Sequence, residues 1–569
     1  MAIKNLCVAI VVEYLKHYNV RRIVLSPGMR NIPLVTAVEE DSSFDCYSVV
    51  DERNAAFFAL GMAQQTGDAV ALVCTSGTAV SNYLPGITEA YYSHVPLVAI
   101  TCDRSPYSLG QLETQKIDQI AALSSSVKMS CSLPVIKDRD DVWYFERILN
   151  EALIAAVLKR LPGPVHINLP IVGDTNVLLN GEEFSCCVQR RKFIDYVALT
   201  DADGWKRKSA RLRSAKRVLV IMGQSISSSS RLKASLSAFC RRLGCPVLSD
   251  NLSNFRCKQS VASEAVIKGL SVKSFAEVLP EIVITLGLNF QERIKDLLKA
   301  YQGRFDHWSI DAEGVVRDCF KSETAVFECL PEEFFERMEG AIGKSSGKCR
   351  AYHQKWARLA TAAMLPELPY GNFRAVMEFC RLVPKKAIVH LSILNSTRLA
   401  QFFKLPHSVS VFSNVNAFGI DGCLPTFMGQ ACSTTRPAFL VIGDISFFYA
   451  MNALSIKHRR RNIHILLINN GGAAEFHIPP ASNAMPTIDN CIGVSHNRSA
   501  KEWAESQGYV YLNARDNDGL ETCMREFVRT DNALPVLFEV FTNMKSDGEF
   551  CLSVYRHLEE CLNNSVEFV

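Results

Sequence analysis

The stretches AFLVIGD (438–444) and IHILLINN (463–470) decide the fold of this 569-residue chain. Each is an apolar run without polar alternation, which is typical of a strand buried on both faces of a parallel sheet. The first run ends at Asp444 and the second at Asn470, and the segment 446–461 has the length of one crossover helix. Because crossovers between parallel strands are right-handed, we expect these strands side by side, with Asp444 and Asn470 at one sheet edge.

The polar groups at this edge suit a hard divalent cation. A carboxylate from Asp444, an amide oxygen from Asn470 and a backbone carbonyl are ligands that Mg²⁺ accepts, and the ion would keep further positions for water and phosphate oxygens. Taken alone, Asp444 is an ordinary strand-end residue and the following Asn-Gly segment is an ordinary turn. Their order and spacing favour the metal site over these structural interpretations.

Similar apolar runs recur along the chain in three blocks. The predicted strands are 22–26, 69–74, 95–101 and 165–172 in the first block, 217–223, 246–249, 281–287 and 307–311 in the second, and 387–392, 408–414, 438–444, 463–470 and 535–541 in the third. Helical stretches such as 55–65 separate them. This alternation predicts an α/β fold with three domains, each with a mainly parallel sheet flanked by helices.

The domain boundaries are placed where the pattern becomes irregular and polar. We expect domains at 1–180, 195–345 and 365–569, with linkers in 173–200 and near 345–347. The first and third domains show the same pattern of runs, which predicts one kind of domain used twice.

Composition excludes several classes of protein. The chain has 62 Lys and Arg against 58 Asp and Glu, and a net charge of +4 gives no general attraction to nucleic acid or membranes. A hydrophobic content of 48% excludes wholesale disorder, and the 20 cysteines include no CxxC pair and are interpreted as reduced thiols.

The basic run 457–461 is interpreted as the solvated end of the crossover helix. Without a signal-like start or an apolar run of about 18 residues, we expect a cytoplasmic protein that binds neither nucleic acid nor membrane.

A second group of polar residues follows strands of the first block. Glu52 lies where a helix of small residues begins, a position at which acidic residues usually serve as caps. Thr75, Ser76 and Gly77 follow the next strand and open another helix. A turn rich in glycine and hydroxyl groups at that place can approach a polar ligand closely. In this company, Glu52 is a candidate for a role beyond capping.

In combination these motifs resemble the thiamine-diphosphate enzymes that act on 2-oxo acids. Within that family the chain is similar to the menaquinone-pathway synthases that make 2-succinyl-5-enolpyruvyl-6-hydroxy-3-cyclohexene-1-carboxylate (SEPHCHC). The resemblance covers essentially the whole chain. Its motifs are Ser26-Pro27-Gly28-x-Arg30, Asp51-Glu52-Arg53, residues 73–78, Asp103-Arg104, Gly419-Ile420-Asp421-Gly422, Gly443-Asp444 and Asn469-Asn470.

The resemblance implies a thiamine-diphosphate-binding fold in the first domain, which would bind the pyrimidine, and in the third, which would bind the diphosphate. It implies that Glu52 is the catalytic residue, because the family's glutamate hydrogen-bonds the aminopyrimidine ring. The other implied cofactor contacts are Thr75, Ser76, Gly77, Ile420, Gly443, Ser446 and Phe476. The implied ligands of Mg²⁺ or Mn²⁺ are Asp444, Asn470 and the carbonyl of Gly472.

The implied reaction is decarboxylation of 2-oxoglutarate and carboligation of the product to isochorismate, an unsaturated acid, which gives SEPHCHC. Arginines are expected around the substrate carboxylates because a guanidinium pairs with them bidentately. The implied substrate contacts are Met29, Arg30, Arg104, Gln115, Arg293, Arg398 and Glu475. Because Glu52 and Asp444 fall in different domains, the resemblance also implies a homodimer or homotetramer with active sites at the subunit interface.

Several substrate-side positions depart from the family pattern. Met29 stands in place of a serine, Val415-Asn416 of an Arg-Gly pair, Phe418 of a small residue, Glu475 of an isoleucine, Glu292 of a lysine and Leu394 of a serine. A buried, unpaired carboxylate beside an anionic substrate is costly. Either neighbouring arginines pair with these glutamates, or the donor or acceptor has changed. A non-catalytic paralogue is the third alternative.

Overall fold

The structure is a computed structural model that describes residues 6–158, 161–172, 202–225, 229–312, 319–342, 347–478 and 487–566. Within these ranges the chain forms three six-stranded sheets with helices between the strands, so the predicted α/β class is confirmed. The predicted linker 173–200 lies outside the described residues, as do residues 345–346 of the second one. The domain boundaries therefore stay predictions.

The strands of each sheet are consecutive in the chain and pair in parallel. The first sheet contains β1 (Arg22–Leu25), β2 (Asp45–Ser48), β3 (Val70–Cys74), β4 (Leu97–Asp103), β5 (Met129–Ser132) and β6 (Val165–Pro170). The second contains β7 (Val218–Met222), β8 (Val247–Ser249), β9 (Ser260–Ala262), β10 (Ile282–Leu286), β11 (Asp306–Asp311) and β12 (Glu323–Glu328). The third contains β13 (Ile388–Leu391), β14 (Ser410–Phe412), β15 (Ala438–Gly443), β16 (Ile463–Asn469), β17 (Val510–Ala514) and β18 (Val536–Phe541).

The first and third sheets have the same topology. Their strand orders are β2-β1-β3-β4-β6-β5 and β14-β13-β15-β16-β18-β17, which are identical when each sheet is counted from its own first strand. The order of the central sheet, β12-β11-β10-β7-β8-β9, is different. The prediction of one kind of domain used twice, with a different domain between the copies, is confirmed.

The strands that the apolar runs did not predict are β2, β5, β9, β12 and β17, and all of them lie at sheet edges. Their residues are largely half-buried or exposed, as in β2 and β17. An edge strand has one neighbour and is often wet on one face, so its sequence does not form a continuous apolar run. The search for such runs finds the central strands and only one edge strand, β14.

Helices cover the faces of all three sheets. Those of the first part are Leu6–His17, Ile32–Glu39, Glu52–Thr66, Thr78–Asn82, Leu84–Tyr92, Gln119–Leu123 and Arg139–Leu153. Those of the second are Ala202–Ser214, Ser230–Leu243, Ser263–Gly269, Val272–Phe275, Glu292–Lys299, Pro331–Ile342 and Arg350–Ala362. Those of the third are Asn372–Leu382, Asn395–Ala400, Cys423–Cys432, Asp444–Tyr449, Lys501–Ser506, Asn517–Phe527 and Met544–Val566.

The prediction of one crossover helix over 446–461 is wrong. The helix Asp444–Tyr449 is followed by a 3₁₀ turn at Met451–Ser455, and the basic run 457–461 lies beyond that turn. The turn places the side chain of Asn452 against the first domain, where it donates to Asp51 Oδ2 (2.5 Å) and accepts from Asn54 Nδ2 (2.9 Å). These contacts between distant parts of the chain compete with helix continuation.

The first and third domains pack through two helices that approach very closely. A Cβ atom added at Gly61 would lie 1.9 Å from the carbonyl oxygen of Thr426, and one at Gly429 would lie 2.0 Å from that of Phe58. The helices Glu52–Thr66 and Cys423–Cys432 therefore touch backbone to backbone. Gln430 Nε2 also donates to Gln64 Oε1 across the contact (2.9 Å). Glu52 begins the first of these helices, so its position is tied to the third domain.

Two sequence expectations concern the whole chain. Every cysteine within the described ranges is a free thiol, as expected from the scattered spacing. Across those same ranges, the search for a helix with the length and apolar character needed to cross a bilayer finds none.

Candidate active site

The carboxyl ends of β15 and β16 lie side by side, and Asp444 connects them. Asp444 Oδ2 accepts hydrogen bonds from the backbone N–H groups of Gly471 (2.8 Å) and Gly472 (3.0 Å), and Oδ1 accepts from Ile445 N (2.7 Å). Its carboxylate is buried, with the residue 2% exposed. Asn470 Oδ1 also accepts from Gly472 N (3.3 Å). The predicted meeting of these two strand ends is confirmed.

The turn after β16 requires glycine. Gly471 has a φ of 78° and Gly472 a φ of 156°. A Cβ atom at Gly472 would lie 2.6 Å from both the carbonyl oxygen of Gly493 and the sulfur of Met544. Side chains are excluded here both by backbone conformation and by space. The backbone can therefore come close to a ligand held by Asp444.

The donor set at this edge fits a hard cation that shares its ligands with a phosphate group. Among the described residues, no cluster of three or more His, Cys, Asp or Glu side chains could hold a metal ion alone. Asp444 supplies one carboxylate, and the amide of Asn470 and the carbonyl of Gly472 are neutral oxygens. Mg²⁺ commonly takes one or two carboxylates and completes its shell with water and phosphate oxygens.

Two buried side chains beside these proposed metal ligands belong to none of the sequence motifs described above. His496 Nε2 lies 3.4 Å from Asp444 Oδ2. Asp547 belongs to the helix Met544–Val566 and hydrogen-bonds Asn470, and its burial, together with the charge of Asp444, raises its pKa to about 6. Both residues are distant in sequence from Asp444, so only the folded chain identifies them.

The carboxyl ends of β1 and β3 form the corresponding edge of the first sheet. A Cβ atom at Gly28 would lie 2.4 Å from the Cβ atom of Thr75, and Arg30 N donates to Thr75 Oγ1 (3.3 Å). Gly77 has a φ of 84°, and Gln115 Nε2 donates to the carbonyl oxygen of Ser76 (2.9 Å). The structure therefore brings these predicted residues together.

Ser76 supports a polar ligand at this edge. Its hydroxyl group is buried, and no described group serves as its hydrogen-bond partner. Buried polar atoms are nearly always hydrogen-bonded in native proteins. An orphaned hydroxyl in a turn of this kind fits a bound polar group.

Glu52 is half-buried at the start of its helix, and Asp51 caps that helix by accepting from Asn54 N (3.1 Å). Burial raises the pKa of Cys74 and of Tyr83, and the nearby charge of Glu52 adds to both shifts. Capping is thus performed by Asp51, which leaves the Glu52 carboxylate available for another contact.

A buried polar network holds the Ser76-Gly77 turn from below. Gln119 Oε1 accepts from Gly77 N (3.1 Å), and Gln119 Nε2 donates to Asn168 Oδ1 (2.7 Å). Asn168 Nδ2 in turn donates to Asp103 Oδ2 (3.0 Å), which pairs with Lys116 Nζ (2.5 Å). Sequence reasoning missed Lys116, Gln119 and Asn168 because they pair only after β3, β4 and β6 become neighbours.

Ile420 and Ser446 are joined beside the metal edge. Ser446 Oγ donates to the carbonyl oxygen of Ile420 (2.5 Å), and Ser392 Oγ donates to Ser446 Oγ (3.3 Å). Ile420 packs against the apolar core that the first and third parts of the chain share. Ile420, one of the predicted cofactor contacts, is therefore held against the helix that begins at Asp444.

Glu475 is paired with Arg398. Arg398 Nη1 and Nη2 donate to the two carboxylate oxygens of Glu475 at 2.5 and 2.8 Å, and Nη1 also donates to Asn395 Oδ1 (2.6 Å). Burial acts to lower the pKa of Arg398, but the ion pair outweighs it and the net pKa is raised. The glutamate is thus compensated by an arginine. Phe476, the next residue along, is 38% exposed.

The other predicted substrate residues are dispersed around the two edges. Arg30 Nη1 donates to the carbonyl oxygen of Ile171 (3.3 Å), and Arg104 pairs with Glu113 (2.9 Å). Arg293 donates to the carbonyl oxygen of Leu270 (2.7 Å) within the second part of the chain. Met29 is 83% exposed. No described contact joins Arg293 to the other predicted residues.

Glu292 is also paired. Its side chain is 74% exposed and lies 2.8 Å from Lys295 Nζ. It is therefore a solvated surface carboxylate rather than an uncompensated charge in a pocket.

The segment that replaces the family's Arg-Gly pair is held by all three parts of the chain. The carbonyl of Val415 accepts from Asn289 Nδ2 (2.9 Å), and Asn416 Nδ2 donates to Gln224 Oε1 (2.8 Å). Glu89 Oε2 accepts from Ala417 N (2.7 Å), and burial raises the pKa of Glu89. These hydrogen bonds hold the segment in place although it contains no arginine.

Comparison with known proteins agrees with this architecture. Residues 7–122 match the family model described as thiamine pyrophosphate enzyme, N-terminal TPP binding domain. A solved Rhodococcus jostii RHA1 thiamine diphosphate-dependent 4-hydroxybenzoylformate decarboxylase superposes with a TM-score of 0.71 at 16% identity, covering 94% of this chain and 99% of its own. At that identity the likeness shows the fold alone.

Closer relatives share one name. The 2-succinyl-5-enolpyruvyl-6-hydroxy-3-cyclohexene-1-carboxylate synthase of Bacteroides fragilis is 34% identical over 563 residues, which is 96% of this chain and 98% of that protein. The synthase of Phocaeicola vulgatus is 31% identical over 96% of this chain and 97% of its own. The chain therefore belongs to the family of thiamine-diphosphate enzymes named 2-succinyl-5-enolpyruvyl-6-hydroxy-3-cyclohexene-1-carboxylate synthases.

Proposed function

We propose that this enzyme decarboxylates 2-oxoglutarate and joins the product to isochorismate, giving SEPHCHC. The observation that carries the proposal is the edge at Asp444, where a buried carboxylate, an amide and a glycine turn converge in a chain of this family. The relatives do not favour a changed donor or acceptor or a non-catalytic paralogue. The pairing of Glu475 with Arg398 also removes the main argument for those alternatives.

The residues of both edges fit the cofactor and its metal ion. Asp444, Asn470 and the Gly472 carbonyl would hold Mg²⁺ or Mn²⁺ and, through it, the diphosphate. The other proposed cofactor contacts are Thr75, Ser76, Gly77, Ile420, Gly443, Ser446 and Phe476. Thiamine diphosphate, when bound, supplies a nucleophilic carbon and an electron sink for the loss of CO₂.

Glu52 is the proposed catalytic residue. Its carboxyl group would hold a proton in a hydrogen bond to the pyrimidine ring of the cofactor. Asp51 caps the helix in its place, so this role costs no helix stability. The close packing at Gly61 fixes the helix axis and therefore the direction of the carboxyl group.

Arginines from different parts of the chain would bind the substrate carboxylates. Arg30 and Arg104 lie on the first domain and Arg398 on the third, with Gln115, Met29 and Glu475 beside them and Arg293 a more distant candidate. Because Arg398 is already paired with Glu475, we propose that it neutralises less of the negative charge of the substrate than Arg30 does. Binding then depends mainly on the first domain.

We also propose that two copies of the chain form each active site. The pyrimidine-binding edge of one copy would face the diphosphate-binding edge of the other, in a homodimer or a dimer of dimers. Sedimentation of the purified protein should show no monomer at assay concentrations.

The test is product analysis with 2-oxoglutarate, isochorismate, thiamine diphosphate and Mg²⁺. We expect CO₂ and SEPHCHC from the unmodified protein, detected by mass spectrometry. Glu52→Gln should reduce turnover by about 100-fold or more, with an unchanged circular dichroism spectrum, because a positioned acid–base group contributes on that order. Glu39→Gln, at an exposed helix end, is the matched control and should keep full turnover.

Each failure has a distinct meaning. CO₂ release without the joined product would show another acceptor, and absence of CO₂ release would show another donor. Undiminished turnover of Glu52→Gln would contradict the role of Glu52 alone.

A further inference from the structure

Two buried side chains stand directly behind the proposed metal ligands. His496 contacts Asp444, and Asp547 hydrogen-bonds Asn470. Neither residue belongs to a motif that the family resemblance supplied. Each comes from a different segment that packs onto the end of β16.

A backbone contact determines which nitrogen of the neutral His496 ring carries the proton. Nδ1 accepts a hydrogen bond from Arg498 N (3.1 Å), so the neutral ring carries its proton on Nε2. Nε2 lies 3.4 Å from Asp444 Oδ2, and it makes no hydrogen bond among the described residues. The His496 side chain is 6% exposed, and its backbone N–H donates to the carbonyl oxygen of Gly471 (2.9 Å). The ring thus lies beside Asp444.

The contacts of Asp444 leave one oxygen for a cation. Oδ2 is occupied by Gly471 N and Gly472 N and faces His496 Nε2. Oδ1 accepts only from Ile445 N in the described hydrogen bonds. A carboxylate has about four acceptor directions, so the available one lies on Oδ1. The two backbone donors on Oδ2 and the His496 ring packed beside it therefore leave Oδ1 as the metal ligand.

Asp547 orients the second ligand by the same principle. Its Oδ1 accepts from Asn372 N (3.0 Å) and its Oδ2 from Thr542 Oγ1 (2.5 Å), so the carboxylate is fixed. The residue is 4% exposed. In its hydrogen bond with Asn470 the carboxylate accepts, so the amide must donate through Nδ2. Oδ1 of Asn470 is then turned the opposite way, toward Gly472.

We propose that His496 and Asp547 are positioning residues for the divalent ion, His496 through Asp444 and Asp547 through Asn470. The inference rests on the proposed function, since it assumes that these two ligands hold the metal. Groups behind metal ligands fix their orientation, and their loss commonly weakens metal binding by about 10–100-fold.

The test is Mg²⁺ binding by the full chain at saturating thiamine diphosphate and fixed pH, followed by intrinsic fluorescence and by calorimetry. His496→Asn keeps an acceptor for Arg498 N but cannot reach Asp444, and His496→Gln can place an N–H near Oδ2. We expect His496→Asn and Asp547→Asn to raise the half-saturating Mg²⁺ concentration by about 10–100-fold. His496→Gln should restore most of the affinity.

Controls separate positioning from stability and from the proposed function. His407→Ala and Asp531→Asn change exposed residues and should leave Mg²⁺ binding unchanged. Half-saturation of His496→Asn and Asp547→Asn within twofold of the unmodified protein would overturn the inference, whatever their melting temperatures. Absence of Mg²⁺ binding by the unmodified protein would instead refute the proposed function.

Discussion

At the scale of single residues, the pairing of Arg398 with Glu475 changes how the glutamate at position 475, where the family pattern has an isoleucine, is interpreted. A carboxylate in place of an apolar residue suggested either compensation or a different substrate. The bidentate contact, with side chains 22% and 26% exposed, shows compensation. Such a pair is weakly screened by water, and removing one partner leaves the other charge poorly solvated.

We therefore expect Glu475→Gln to destabilise the protein by about 1–3 kcal/mol, since it leaves Arg398 partly buried without its carboxylate. A double-mutant cycle with Arg398→Met, measured by chemical denaturation, should give a coupling energy above about 1 kcal/mol. The matched control is the Arg104–Glu113 pair, whose Glu113 side chain is 40% exposed and whose coupling should lie below about 1 kcal/mol. Equal coupling in both pairs would contradict this account.

At the scale of elements, the contact between helices Glu52–Thr66 and Cys423–Cys432 determines where Glu52 lies. Gly61 and Gly429 each face a carbonyl oxygen at a distance that excludes a side chain. The two helices cannot separate to admit a methyl group without moving the sheets that they cover.

Gly61→Ala should destabilise the contact by about 1–3 kcal/mol, because the new methyl group would overlap the Thr426 carbonyl. Gly340→Ala is the matched control: it lies in the helix Pro331–Ile342 with no atom within 4 Å of the added Cβ. Alanine there should be neutral or stabilise by up to about 1 kcal/mol. Thermal unfolding of both variants measures the difference, and equal melting temperatures would show that the helices adapt.

Elements also show the limit of sequence patterns. Central strands such as β15 and β16 were predicted within a residue or two, because burial on both faces produces continuous apolar runs. The edge strands β2 and β17 were not, because half-exposed residues dilute that signal. The prediction of one crossover helix was wrong at Asn452, which makes contacts with Asp51 and Asn54. Helix propensity depends on nearby residues and does not take such long-range contacts into account.

At the scale of the whole molecule, two copies of one sheet topology precede and follow a different sheet along the chain. Buried histidines accompany this arrangement in both copies. His166 lies on β6 of the first sheet, and His390 and His464 lie on β13 and β16 of the third. Burial lowers the pKa of each imidazole from 6.5 to about 4.

These three histidines should therefore contribute a loss of stability as the pH falls from about 6.5 toward 4, whereas buried carboxyl groups with raised pKa values, such as Asp547 and Glu89, contribute in the opposite direction. In that window each of these histidines binds a proton in the unfolded chain but not in the folded one, so each contributes a loss of up to about 1.4 kcal/mol per pH unit. Melting temperatures at pH 7.5, 6 and 5 measure the effect. His464→Gln should lose less stability over this range than the unmodified protein, and the exposed His407→Ala should behave like the unmodified protein. An equal pH dependence of the two variants would contradict the prediction.

The sequence by itself determined the fold class, the repeated domain and the strand ends that carry Asp444, Asn470 and Thr75, because apolar runs and glycine turns are local properties of the chain. Only the tertiary structure decided which groups compensate which charges. Glu475 pairs with Arg398, and His496 lies behind Asp444, because segments far apart in sequence meet at one sheet edge. Electrostatic contacts depend on distance in space, which residue order alone does not specify.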